Sequence, residues 1–181
     1  MGWLNLHFLV IKRKGIMRKM VNVNNDRTTK LELLKRISRR KNLIKELDFM
    51  NLVEEPFLNI EDNDLFCKKV FSVLKAKKNK IRLQGDNYKE NIQKSIQLLN
   101  EIIDNTEITH KKGYLLFFRE SEIEVVLINV NELFSNLDKV LELTWFSKGY
   151  GDFILVDGDF NFGLCIERTE YYYEFSIWGL S

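Results

Sequence analysis

Proline is almost absent from this chain, with one residue, Pro56, in 181. That excludes proline-rich linkers and leaves a single place where a ring must stop a helix. Cysteine is nearly as scarce. Cys67 and Cys165 lie far apart, each inside an apolar run. This suits reduced, buried thiols in a cytoplasmic protein better than a disulfide framework. There are two histidines, His7 and His110, and neither has a metal-ligating companion at a recognisable spacing. No metal, no cofactor and no catalytic residue is therefore assigned. A long apolar run is also missing. Met1 to Ile11 is apolar over only about ten residues, against the roughly twenty needed to cross a bilayer. Lys12, Arg13 and Lys14 follow that run. A signal peptide has the opposite order. Residues 1–16 are read as an extension ahead of a start at Met17 or Met20, or else as an extra edge strand.

What is present is 45% apolar and 30% charged, the composition of a soluble globular protein. A length of 181 residues fits a single domain, 1–181, with a helical part over 28–104 and a sheet part over 113–181. The net charge of +2 hides an asymmetry. Residues 1–50 carry 13 Lys/Arg against 4 Asp/Glu, residues 51–112 carry 11 against 10, and residues 113–181 carry 4 against 12. A basic front and an acidic back can pair within the fold or present two partner surfaces.

The helical part opens with polar residues, Asn22 to Asp26, that can cap a helix. From about Thr28 to Asp48 the apolar residues Leu33, Leu34, Ile37, Ile44 and Leu47 recur at helical spacing. Arg36, Arg39, Arg40 and Lys41 cluster on that helix. They could follow a phosphate backbone, but the plainer reading is a solvated face. Phe49 to Glu61 reads as a connector. Asp62 to Asp64 can cap a second helix, about Asp64 to Lys78, whose lysine-rich end (Lys75, Lys77, Lys78, Lys80) suits the helix dipole. Gly85-Asp86-Asn87 restarts the chain. A third helix spans about Tyr88 to Asp104, with Ile92, Ile96, Leu99 and Ile103 on one face.

The sheet part begins with strands over Tyr114 to Phe118 and Ile123 to Val130, a hairpin. One helix over Asn131 to Leu143 follows, with Asn129 or Asn131 as its cap. The end of the chain is a three-stranded meander: Phe153 to Val156, Phe162 to Arg168 and Tyr171 to Trp178. Asp157-Gly158 is the turn signal between the first two. The expected fold is α+β: N-terminal helices, then a mostly antiparallel sheet of about five strands with one inserted helix.

The runs Asp152-Phe-Ile-Leu-Val and Phe162-Gly-Leu-Cys-Ile-Glu-Arg-Thr-Glu-Tyr-Tyr-Tyr-Glu-Phe-Ser-Ile-Trp-Gly resemble the C-terminal end of YxiF-type proteins of Bacillus and relatives. Those proteins are encoded beside cell-wall-associated toxins of the WapA kind and look like immunity proteins of polymorphic toxin systems. The resemblance implies a cytoplasmic, bacterial, non-enzymatic inhibitor whose partner is a cognate toxin C-terminal domain. It carries no active site to transfer.

The residues themselves suggest where such a partner would dock. Asp157, Asp159, Glu170, Tyr172, Glu174 and Trp178 make the last strands acidic and aromatic, the composition of a surface for a basic protein. The plainer reading is that the aromatics cover the sheet. Asp157, Asp159 and Asn161 resemble the start of a calcium loop, but Phe162 stands where Gly is needed and Arg168 where Glu is needed. Glu167, Glu170 and Glu174 could serve as acid–base carboxylates only across a cleft. They sit around one hairpin, and no cleft can be read from the sequence. The alternative to an immunity protein is a nucleic-acid-binding or regulatory protein that uses Arg36 to Lys41.

Overall fold

The computed structural model describes residues 30–105, 112–119 and 122–180. The expected extension over 1–16, the cap at Asn22 to Asp26, His7 and His110 lie outside the described residues. Residues 30–46 form helix α1. The chain divides into two compact units, the first ending at Glu46 and the second spanning Leu47–Ser181. Each is described by itself.

In α1, Arg36 and Leu43 are buried, whereas Leu33, Leu34, Ile37 and Ile44 are each at least 40% exposed. The predicted stripe is thus not the buried one. Helical spacing specifies a helix without specifying which face meets a neighbour. Leu47, the last residue of that stripe, is fully buried in the second unit.

The second unit is built on a six-stranded sheet. Its strands are β1 (Ile81–Leu83), β2 (Lys112–Arg119), β3 (Glu122–Asn129), β4 (Phe153–Val156), β5 (Gly163–Arg168) and β6 (Tyr173–Trp178). Their order across the sheet is β1-β6-β5-β4-β2-β3, and every neighbouring pair is antiparallel. The helices are α2 (Ile60–Ala76), α3 (Tyr88–Asn105), α4 (Val130–Ser135) and α5 (Leu137–Leu143). The fold is α+β, with the expected β2–β3 hairpin and C-terminal meander. The sixth strand, β1, is three residues long, too short to show alternation in the sequence.

Two layers of helix cover the sheet. On one face α2 lays Cys67, Val70 and Leu74 against Leu116, Val125, Ile154, Val156 and Cys165. Alternation along the strands sends Leu115, Phe117, Phe153, Leu155, Leu164, Ile166 and Phe175 to the other face, where all are buried. That side carries α3, which contacts β1 and β6, and α4, which contacts β3. With both faces covered, β4 is buried at every position, so it reads as an unbroken apolar run rather than an alternating one. Both cysteines are free and buried in the α2 layer. Among the described residues, no helix is long and apolar enough to cross a membrane.

Caps explain the helix boundaries. Helix α2 starts at Ile60, earlier than its sequence suggests, because the Asn59 side chain accepts from Asp62 N–H at 2.9 Å. Asn63 is released from the expected capping role and is fully buried. Its amide donates to Ile123 O at 2.8 Å, and its carbonyl accepts from Val125 N–H at 2.9 Å. This one side chain therefore pairs with the outer edge of β3 as a strand would. Phe57 extends the cover with a bridge to Val126, and Leu127 N–H donates to Pro56 O. The β3 edge is closed to further pairing along this stretch.

The expected single helix over Asn131 to Leu143 is two. Asn129 caps α4 by accepting from Asn131 and Glu132 N–H. Asn136 (φ −122°, ψ 24°) then breaks the helix. The β4–β5 connection also departs from the Asp157-Gly158 turn. It is a longer loop whose positive φ falls on Phe160 (φ 61°). Tertiary contacts hold Phe160 there: its ring stacks on Phe66 with centroids 5.2 Å apart, and its carbonyl accepts from Trp178 Nε1 at 3.0 Å.

Candidate functional site

The lysine-rich segment after α2 does more than complement a helix dipole. It continues into β1 at the sheet edge and lies across the α2-side face of β5 and β6. Lys77 sits 4.0 Å over the Trp178 ring. Lys80 Nζ reaches Glu167 Oε2 at 2.7 Å and Glu174 Oε2 at 2.9 Å. Arg82 lies 3.9 Å over the Tyr172 ring. Glu167 and Glu174 are directly opposed across the β5–β6 pair. Two like charges there would repel, and Lys80 bridges them. Burial opposes the Lys80 charge, but the hydrogen bonds and charges of the two glutamates outweigh it and raise its pKa above 10.5.

The six residues predicted to bind a partner are thus distributed. Asp157, Asp159 and Trp178 lie at the end of the sheet where β5 starts. Glu170 and Tyr172 lie at the other end, a strand length of about 17 Å away. Glu174 sits on β6 near that second end. Asp157 serves its own loop, since Oδ1 accepts from Phe162 N–H and Oδ2 from Asn161 Nδ2. Trp178 is half-buried against Gly163, where an added Cβ would lie only 2.1 Å from the indole. Asp159 and Glu170 are exposed.

In α1, Arg36 is buried, Arg39 and Arg40 are half-buried, and Lys41 is exposed. All three arginines already take part in interactions within the molecule. The four cations do not form an exposed row.

At the Glu170 end the structure assembles what the sequence did not show. The β1–α3 loop and the β5–β6 turn form the walls of a cleft of about 540 Å³, lined by Gly85, Asp86, Tyr88, Asn91 and Arg168 to Tyr173, among others. Asn91, itself buried, ties the walls together: Oδ1 accepts from Gly85 N–H, and Nδ2 donates to Tyr171 O at 3.2 Å. Asn87 caps α3 through Lys89 and Glu90 N–H, and the Glu90 carboxylate returns to Asp86 N–H. This is a reciprocal cap that fixes the Asp86 backbone. The Tyr88 ring rests directly on Gly149, whose φ of +75° and lack of a Cβ permit the approach. Arg168 Nη1 donates to Gly149 O.

Three tyrosines stand exposed around this end: Tyr88 at 46%, Tyr150 at 75% and Tyr171 at 68%. The sequence held a signal for one of them: Tyr150 sits in the glycine-flanked run Gly149 to Gly151, where an aromatic has no periodic face to join, whereas Tyr88 opens α3 and Tyr171 reads as the start of the last strand. Tyr173, which also lines the cleft, is 2% exposed and its hydroxyl has no hydrogen-bond partner among the described groups. Burial pushes its pKa up to about 12, with Arg168 opposing and Tyr88 and Asp152 adding to the rise.

No curated protein and no solved structure matches the chain. A family profile described as YxiF protein matches residues 43–178, from the last turn of α1 to the end of β6. That span covers the whole sheet, both helical layers and the cleft, and the chain therefore belongs to the YxiF family.

Proposed function

We propose that this chain is a non-enzymatic immunity protein that binds and neutralises a cognate bacterial toxin domain, docking through the acidic-aromatic end of its C-terminal sheet. The observation that carries this reading is the gathering of exposed Tyr88, Tyr150 and Tyr171 with Glu170 and Asp86 at one end of the sheet. Rigid exposed aromatics supply contact area at low entropy cost, and surrounding carboxylates speed association with a basic partner. The toxin as partner comes from the resemblance to YxiF-type proteins. The engagement of Glu167 and Glu174 by Lys80 fits a structural use of those carboxylates better than acid–base catalysis.

The test is a pull-down of the purified chain with the C-terminal domain of the large secreted protein encoded beside it, together with co-expression rescue. A one-to-one complex that restores growth is expected. Glu170→Lys should weaken the complex about tenfold or more, while Asp159→Lys at the far end leaves it intact. A folded chain that neither binds that domain nor protects against it overturns the reading.

A further inference from the structure

We propose that the cleft between the β1–α3 loop and the β5–β6 turn receives an arginine side chain of a basic protein partner, its guanidinium held between Asp86 and Glu170. The proposal rests on the immunity reading for the identity of the partner, but its chemistry is set by the cleft alone. Asp86 and Glu170 come from opposite walls, both are exposed, and among the described residues neither carboxylate has a partner. The cation already lining the cleft, Arg168, is otherwise directed: Nη1 donates to Gly149 O, and its charge interacts with Asp152. The cleft thus keeps unanswered negative charge.

A planar guanidinium with five donors suits two separated carboxylates, and it stacks on aromatic faces, which Tyr88 and Tyr171 offer at the rim. Tyr173 lines the cleft too, and its buried hydroxyl has no partner among the described residues. The two walls are already tied by Asn91, and Asp86 is fixed by the α3 cap, so little ordering is needed on binding. The cleft volume of about 540 Å³ lies within the usual range for ligand sites, about 300–1,000 Å³.

The test uses the isolated protein and two blocked tripeptides, Gly-Arg-Gly and its neutral isostere Gly-citrulline-Gly, titrated while amide resonances are followed by NMR. The arginine peptide should give saturable shifts confined to residues 85–91 and 168–173. The citrulline peptide should bind at least about tenfold more weakly, and so should the arginine peptide to Asp86→Asn/Glu170→Gln. A variant spectrum unchanged elsewhere shows that the fold is intact. Absence of saturable shifts, equal binding of citrulline, or undiminished binding by the variant overturns the proposal. Because no toxin domain is used, this test can fail while toxin binding persists through another surface, and it can succeed where the toxin domain does not bind.

Discussion

Asp152 is half-buried, and its Oδ1 accepts from Arg168 N–H at 2.8 Å. Burial pushes its pKa above 3.8. The Arg168 hydrogen bond opposes this, Glu167 reinforces it, and the Arg168 charge opposes it again. A carboxyl whose folded pKa is raised stabilises the fold fully below its unfolded value, and that stability is lost as pH rises through the folded value. Ionised Asp152 is therefore a burden at neutral pH. Asp152→Asn keeps an acceptor for Arg168 N–H and removes the charge. It should be more stable than the wild type at pH 7, with the advantage fading as pH falls through the folded value and gone below 3.8, in urea denaturation followed across pH. At this scale the sequence was informative about side-chain type but not about partner. Glu174 and Trp178 read as contact residues, yet Lys80 and Lys77 cover them, because the sequence-distant segment after α2 comes to lie on their face.

Among the elements, β3 is the edge strand whose exposure would be the greater hazard, since it is long and apolar. Asn63 and the Pro56–Phe57 segment close it. Asn63→Leu leaves Ile123 O and Val125 N–H unpaired in a buried setting. It should cost about 3 kcal/mol in denaturant unfolding, since an unsatisfied buried group costs about 1–3 kcal/mol. Asn63→Asp keeps the acceptor for Val125 N–H but buries a carboxylate against Ile123 O, and should cost at least as much at pH 7. Helix α3, the β2–β3 hairpin and the meander were legible in advance because each is long enough to show its period or carries a local turn or cap signal. The three-residue β1, the break at Asn136 and the positive φ at Phe160 were not. Each is settled by packing from outside its own segment.

For the whole molecule, the acidic back half is matched in part by the cations at 77, 80 and 82, which lie in the nearly neutral middle of the sequence. Lys80→Met should leave Glu167 and Glu174 opposed without a counter-charge and destabilise the protein at pH 7. The wild type, whose Lys80 pKa is raised, should lose this contribution as pH rises through the folded value above 10.5, so the two proteins converge in stability at strongly alkaline pH. Equal stability at pH 7 would show that the bridge contributes nothing. The sequence by itself determined the α+β class and the buried cysteines, which follow from periodicity and apolar runs, and the family, through the resemblance of its C-terminal runs. Only the tertiary structure decided which acids remain exposed and where the tyrosines gather. The cleft walls are eighty residues apart at Asn91 and Tyr171, and the pairing of β1 with β6 and the Asn91 hydrogen bonds bring them together.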